Sequence, residues 1–160
     1  MTLTYHTPLS PAQQVVAGVD PVQPLAMADR VRFSELDILN HVNNKLYLEW
    51  FERLRVRYSQ EWGISNYGKS GVNPRIVIRS GNIRYHQEMR MDEDYVATCG
   101  CRAFRTSSYT LGQQIWSGGT LRATFDCVLV LLQPDGSGRF PIPDEIRARF
   151  IAVDGATQEG

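Results

Sequence analysis

The sequence predicts an α+β domain in which an antiparallel sheet of about five strands wraps around one long central helix. Three observations carry that prediction. From Asn44 to Trp62, the residues Tyr47, Trp50, Phe51, Leu54, Tyr58 and Trp62 recur at three- and four-residue steps, the period of a helix with a broad apolar face. The chain that follows is rich in β-branched and aromatic residues, in runs from Ile76 to Tyr85, Tyr95 to Arg105, Tyr109 to Trp116 and Leu121 to Leu132. The links between the last three runs are short enough to demand an antiparallel meander.

Residues 1–25 include four prolines (Pro8, Pro11, Pro21 and Pro24) and read as a loose extension. Within it, Ser10-Pro11 can start a short helical turn reaching Ala17. The domain is expected over residues 26–150, with 151–160 as a C-terminal tail. Its first strand is expected from Met27 to Phe33, where Met27, Val31 and Phe33 alternate with Ala28, Arg30 and Arg32. In the helix, Leu46, Leu48 and Val56 widen the apolar face, leaving a polar strip with Glu49 and Arg53 at i,i+4. Such a helix spans about 28 Å and should be mostly surrounded by protein. Gly63 and the stretch Gly68 to Gly71 close it.

The strands are punctuated by Asp92-Glu93-Asp94, Thr106-Ser107-Ser108, Ser117-Gly118-Gly119 and Pro134-Asp135-Gly136. In the last strand Leu121, Ala123, Phe125, Cys127, Leu129 and Leu131 fall on one face. Pro141-Ile142-Pro143-Asp144 then leads into a short helix ending at Phe150. A sheet wrapped on one helix leaves an outer face or an edge to cover, so a homodimer, or a homotetramer built from dimers, is expected.

At 160 residues the chain suits one domain, and 42% hydrophobic with 21% charged residues is ordinary globular composition. Lys plus Arg and Asp plus Glu both number 17, which argues against nucleic acid or an anionic membrane as the main partner. Three cysteines (Cys99, Cys101 and Cys127) and the lack of a basic, then apolar, leader point to a reducing, cytoplasmic setting. No second Cys/His pair accompanies Cys99 and Cys101, so buried core thiols are expected and no metal.

The chemistry concentrates between Arg32 and Arg55, in RFSELDILNHVNNKLYLEWFERLR. A polar hinge holding Asp37, His41, Asn43 and Asn44 leads into the helix. The hinge therefore sets a carboxylate and an imidazole beside the free N–H groups of a helix N-terminus. Asp37 can act as a base or nucleophile, or only close a turn. His41 can orient Asp37 and share its proton, or be structural. Asn43 and Asn44 suit capping, which is compatible with the first-turn amides serving an oxyanion. Glu35 and Glu52 read as solvated or ion-paired.

The run ELDILNHVNNKLYLEWFE resembles the signature of hotdog-fold acyl-CoA thioesterases, of the 4-hydroxybenzoyl-CoA thioesterase-like and bacterial long-chain types. It is also similar to the D-x-x-x-H-x-N-N-x-x-Y run of plant acyl carrier protein thioesterases. The segment from Tyr85 to Asp94 and the late P-x-P extend the likeness from about Ala26 to Phe150. The resemblance implies a hotdog fold and hydrolysis of an acyl-CoA to free acid and CoA, without metal or organic cofactor. It assigns Asp37 as the catalytic carboxylate, His41 as the motif histidine, and Asn44 as the amide that polarises the carbonyl. Glu35 stands where relatives often carry Asp, Asn40 where Gly is frequent, and Leu39 where the plant enzymes have Asn. The acyl group is then expected along Asn43, Tyr47, Trp50 and Phe51, of which the three aromatic residues otherwise read as plain core packing. Arg102, Arg105, Ser107 and Ser108 form an expected grip for CoA phosphates, or else a solvated turn. Acyl carrier protein is the alternative donor, with Arg53, Arg55 and Arg57 as its docking patch. A non-catalytic module that binds acyl thioesters is the remaining alternative.

Overall fold

The apolar period after the hinge does produce one long helix, α2, at Asn44–Glu61. The computed structural model describes residues 3–66 and 73–160; the glycines expected to close the helix loop, Gly68 and Gly71, lie outside them. The other elements are α1 (Pro11–Val16), β1 (Leu25–Arg30), β2 (Arg75–Tyr85), β3 (Asp94–Phe104), β4 (Ser108–Ser117), β5 (Thr120–Leu132), α3 (Asp144–Ala152) and a two-residue β6 (Thr157–Gln158). The sheet order is β1-β3-β4-β5-β2, with β6 joined to β3. The expected five strands and long helix are therefore present, and β6 adds a short parallel pair to β3.

Hairpin chemistry explains the middle of the sheet. Gly118 and Gly119 have φ of 58° and 74°, the paired positive values of a two-residue turn whose twist matches its strands. The β1–β3 pair is antiparallel and runs from Leu25 opposite Cys99 to Arg30 opposite Asp94. Strand β1 stops three residues earlier than the alternation suggested. Phe33 to Glu35 coil into a 3-10 turn, whose start is held by Glu35 Oε1 accepting from the Arg32 N–H at 2.8 Å.

Contacts cluster in two units, one of residues 1–54, 83–99 and 113–125, the other of residues 55–82, 100–112 and 126–160. In the first, Trp50 of α2 stacks on Tyr95 at 4.2 Å and Phe51 on Phe125 at 5.6 Å, burying that face of the helix. The segment before β1 is packed rather than loose. Leu9 and Val19 are buried with Ala26, Ala28 and Val96, and small residues on β1 make room for them. Gly18, at φ 87°, lies so close to Gly119 that a Cβ there would meet its Cα at 2.5 Å.

In the second unit Tyr58 of α2 and Trp62, just past the end of α2, stack at 4.2 Å, and Phe150 of α3 packs against Phe104 and Tyr109. All six residues of the expected helix face are buried. Leu48 and Val56, expected to widen that face, are exposed instead, because they point away from the sheet-facing stripe. Arg53 lies 3.9 Å from Asp29 rather than bridging Glu49. The three cysteines are buried and in no disulfide, and burial pushes Cys127 up to about 11, so they behave as core residues.

Asp154, just after α3, gathers three donors. It accepts from the Tyr58 hydroxyl, from Trp62 Nε1 at 2.9 Å and from the Cys101 N–H at 2.7 Å. Asp154→Ala strands those donors and should lower the unfolding free energy by about 3 kcal/mol in urea titration. Desolvation by burial raises the Asp154 pKa. Its stabilising contribution is therefore full below the unfolded carboxylate value and declines as pH rises through the raised one. Asp154→Asn should remove that slope from a series of unfolding curves.

Candidate active site

The hinge is a small turn held by several backbone hydrogen bonds. Leu36 and Val42 form an isolated antiparallel bridge, the Asp37 N–H donates to the His41 carbonyl at 2.9 Å, and the Asn40 N–H donates to the Asp37 carbonyl at 3.0 Å. Asn40 sits at φ 62°, left-handed backbone that asparagine tolerates better than most residues and glycine adopts freely. At the tip, Ile38 and Leu39 are 96% and 67% exposed.

Two anchors dock this turn. The Val42 N–H donates to the Met89 carbonyl at 2.8 Å, and the Asn43 N–H to the Glu35 carbonyl at 2.9 Å. Glu35 is neither solvated nor, among the described residues, ion-paired, the two expected alternatives. It is buried, and its Oε2 accepts from Trp50 Nε1 at 2.6 Å. A carboxylate can stay inside the protein because both its oxygens have donors.

Asn43 caps α2, its Oδ1 accepting from the Lys45 N–H at 3.2 Å while its carbonyl accepts from Leu46. The Asn44 N–H has no partner among the described residues, as the first amide of a helix commonly does not. Asp37 Oδ1 accepts from the Leu39 N–H at 2.8 Å. Its Oδ2 lies 3.7 Å from His41 Nδ1, and His41 Nε2 lies 3.7 Å from Glu88 Oε2.

These groups open onto one cleft of about 360 Å³, lined by Asp37, His41, Asn44, Tyr47, Tyr85 and Glu88, together with Val42, His86 and Gln87. A carboxylate, an imidazole and an unpaired amide of a helix N-terminus thus share a single wall. Such a set can activate a nucleophile and stabilise an oxyanion. Tyr85 donates its hydroxyl to the Asn44 carbonyl at 3.0 Å and so belongs to the same wall.

Of the residues expected around the substrate, Tyr47 lines the cleft, whereas Trp50 and Phe51 are core side chains outside its lining. Asn43 serves as the cap. The four residues expected to grip phosphates belong to the second unit. Arg105 and Ser108 line a cavity of about 410 Å³ there with Arg79, Ser80 and Tyr109. Arg105 lies 3.7 Å from Glu159, and the buried Ser107 Oγ accepts from Arg139 Nη1 at 3.5 Å. Arg102 lies against Gly112, where a Cβ would meet its Nε at 2.3 Å. Glu88 and His86 escape sequence reasoning, since nothing periodic marks them. The Tyr85–Asp94 part of the family likeness is the one signal that covers them. Among the described residues, no group of three or more His, Cys, Asp or Glu is gathered as a metal site. Among them too, no helix is long and apolar enough to cross a membrane.

Comparison with known proteins gives a consistent answer. Residues 31–150 match the thioesterase-like superfamily. A crystal structure of a thioesterase superfamily protein from Jannaschia sp. CCS1 is 38% identical, with a TM-score of 0.89 over 96% of this chain and 97% of that one. A thioesterase from Thermus thermophilus, solved with coenzyme A and zinc, is 28% identical, with a TM-score of 0.70 over 83% and 96%. A predicted thioesterase from Bacillus stearothermophilus is 25% identical, with a TM-score of 0.71 over 84% and 98%. No curated protein matches the chain. The strand order and long helix are those of the hotdog fold that the sequence motif implied.

The turn itself is testable. Asn40→Val places a β-branched residue in left-handed backbone and should cost about 1–2 kcal/mol of stability in denaturant titration. Asn40→Gly should stay within about 0.5 kcal/mol of the parent.

Proposed function

The chain belongs to the thioesterase-like superfamily, and from that premise we propose that it hydrolyses an acyl-CoA to free carboxylic acid and CoA. The observation that carries this reading is that the Asp37 carboxylate and the unpaired Asn44 N–H line the same cleft. In the proposed reaction the thioester carbonyl oxygen accepts from the Asn44 N–H, at the positive end of the α2 dipole. Asp37 then takes a proton from water as the water oxygen attacks the carbonyl carbon; the C–S bond breaks, and the departing CoA thiolate takes that proton back from Asp37 to leave as the thiol. A direct attack by Asp37, through an anhydride that water later opens, uses the same two groups. His41 orients Asp37 and shares its proton, with Glu88 on its other ring nitrogen.

CoA is the donor this reading favours over acyl carrier protein. Arg53, Arg55 and Arg57 do not make one docking patch, because Arg55 points about 200° away from the face that Arg53 and Arg57 share. Arg57 is also bonded to Glu61 at 2.7 Å. A homodimer is part of the proposal, supported by β2, an 11-residue edge strand with largely exposed residues. The reducing, cytoplasmic setting is likewise proposed, supported by three cysteines in no disulfide.

The test is thiol release across aromatic, short-chain and long-chain acyl-CoAs. Asp37→Ala and Asp37→Asn should each lower kcat/KM by about 100-fold or more on the best substrate, with unfolding midpoints near the parent's. Turnover within a few-fold of the parent would remove Asp37 from the chemistry. Binding of acyl-CoA with no thiol release by the parent would make the chain a binding module instead.

A further inference from the structure

Tyr47 does more in the cleft than pack. Its ring is held between Trp50, with centroids 5.2 Å apart, and Tyr85 at 5.3 Å, and the residue is only 3% exposed. Yet it is a lining residue, one helical turn after Asn44. Tyr85 uses its hydroxyl on the Asn44 carbonyl, whereas the Tyr47 hydroxyl has no hydrogen-bond partner among the described residues. A side chain this buried, with an unpaired polar atom facing a cleft, is the kind of group that native proteins leave for a ligand.

The surroundings say what kind of ligand atom fits. Burial pushes the Tyr47 phenol up to about 12, so it stays an O–H donor at neutral pH. The groups that act on it electrostatically are Arg122, Glu93, Tyr85 and Glu88. Arg122 is itself 9% exposed and uses Nη1 on the Glu88 carbonyl at 2.7 Å and on Glu93 at 3.2 Å. Its Nε–H is buried without a partner among the described residues. Among the described residues, the Tyr47 O–H on the cleft is therefore a donor without an acceptor, as is the Arg122 Nε–H behind it. Asp37 and the Asn44 amide are taken by the thioester in the reading above, so Tyr47 is left to meet the acyl group.

Resting on that reading of the cleft, we propose that Tyr47 is a specificity-determining residue whose hydroxyl donates to an oxygen on the acyl group. The cleft then prefers acyl groups bearing a hydroxyl or oxo oxygen over the matching hydrocarbon ones. A plain hydrocarbon acyl group would fill the space and strand a buried hydroxyl, which is how polar sites reject analogues lacking their partner.

Matched pairs of CoA thioesters test this: octanoyl against 3-hydroxyoctanoyl, and benzoyl against 3-hydroxybenzoyl. The parent should favour the oxygenated member of at least one pair by about tenfold or more in kcat/KM. Tyr47→Phe, which keeps the ring, should bring that ratio within about twofold, through loss on the oxygenated member alone. A parent ratio near one in both pairs overturns the proposal. So does an equal loss on both members, which would assign the hydroxyl to the thioester, or a ratio that survives the substitution. If no thioester is turned over, the hydrolase reading fails separately. Calorimetric binding of the same pairs to the parent and to Tyr47→Phe then decides the Tyr47 proposal by the same ratios.

Discussion

The buried Glu35 carboxylate is the contact on which the rest of the site depends. Its side chain ties the 3-10 turn, through the Arg32 N–H, to Trp50 on the second turn of α2. Its own carbonyl receives the Asn43 N–H, the residue that caps the same helix. Start of turn and start of helix are thereby held to one another by three hydrogen bonds from one residue. In a low-dielectric setting each of those bonds is costly to lose, because the group left behind has no water to replace its partner.

From that anchor the geometry of the cleft follows. With the ends of the hinge fixed, residues 36–42 close as a bridged turn, and the Asp37 carboxylate is aimed by the Leu39 amide. The Val42 amide docks on the Met89 carbonyl, which brings the segment after β2 alongside and sets Glu88 beside His41. Arg122 holds that segment from β5 by donating to the Glu88 carbonyl. The cleft lining is therefore held by hydrogen bonds to the backbone of the hinge and of the segment after β2, as a preorganised site requires. The apolar tip at Ile38 and Leu39 contributes nothing to this packing, since both side chains face solvent.

The second unit shows the same strategy at the other end of α2. Asp154 draws together the Tyr58 hydroxyl, Trp62 Nε1 and the Cys101 amide, fixing the chain after α3 against helix and strand. In both units an acidic side chain satisfies an indole N–H that aromatic packing would otherwise bury unpaired. The apolar stripe gives α2 its burial, and the two carboxylates make Trp50 within it and Trp62 just after it tolerable inside.

Much of this was legible in the sequence because local rules decided it. The helix from Asn44, the four long strands and the two-glycine hairpin follow from hydrophobic period and turn chemistry, which act within a few residues. The hinge was legible too, since capping residues and an unpaired first-turn amide are properties of any helix start. What only the tertiary structure decided are facts about distant chain segments. Burial of Glu35 depends on Trp50 arriving beside it, and the place of Glu88 at His41 depends on the docking of Val42 onto Met89. Solvent exposure of Leu48 and Val56 depends on which side of α2 the sheet covers, and packing of residues 3–24 depends on the small side chains of β1. Periodicity sorts residues into faces, but the desolvation and hydrogen bonding of a single polar group are set by whatever the fold brings next to it.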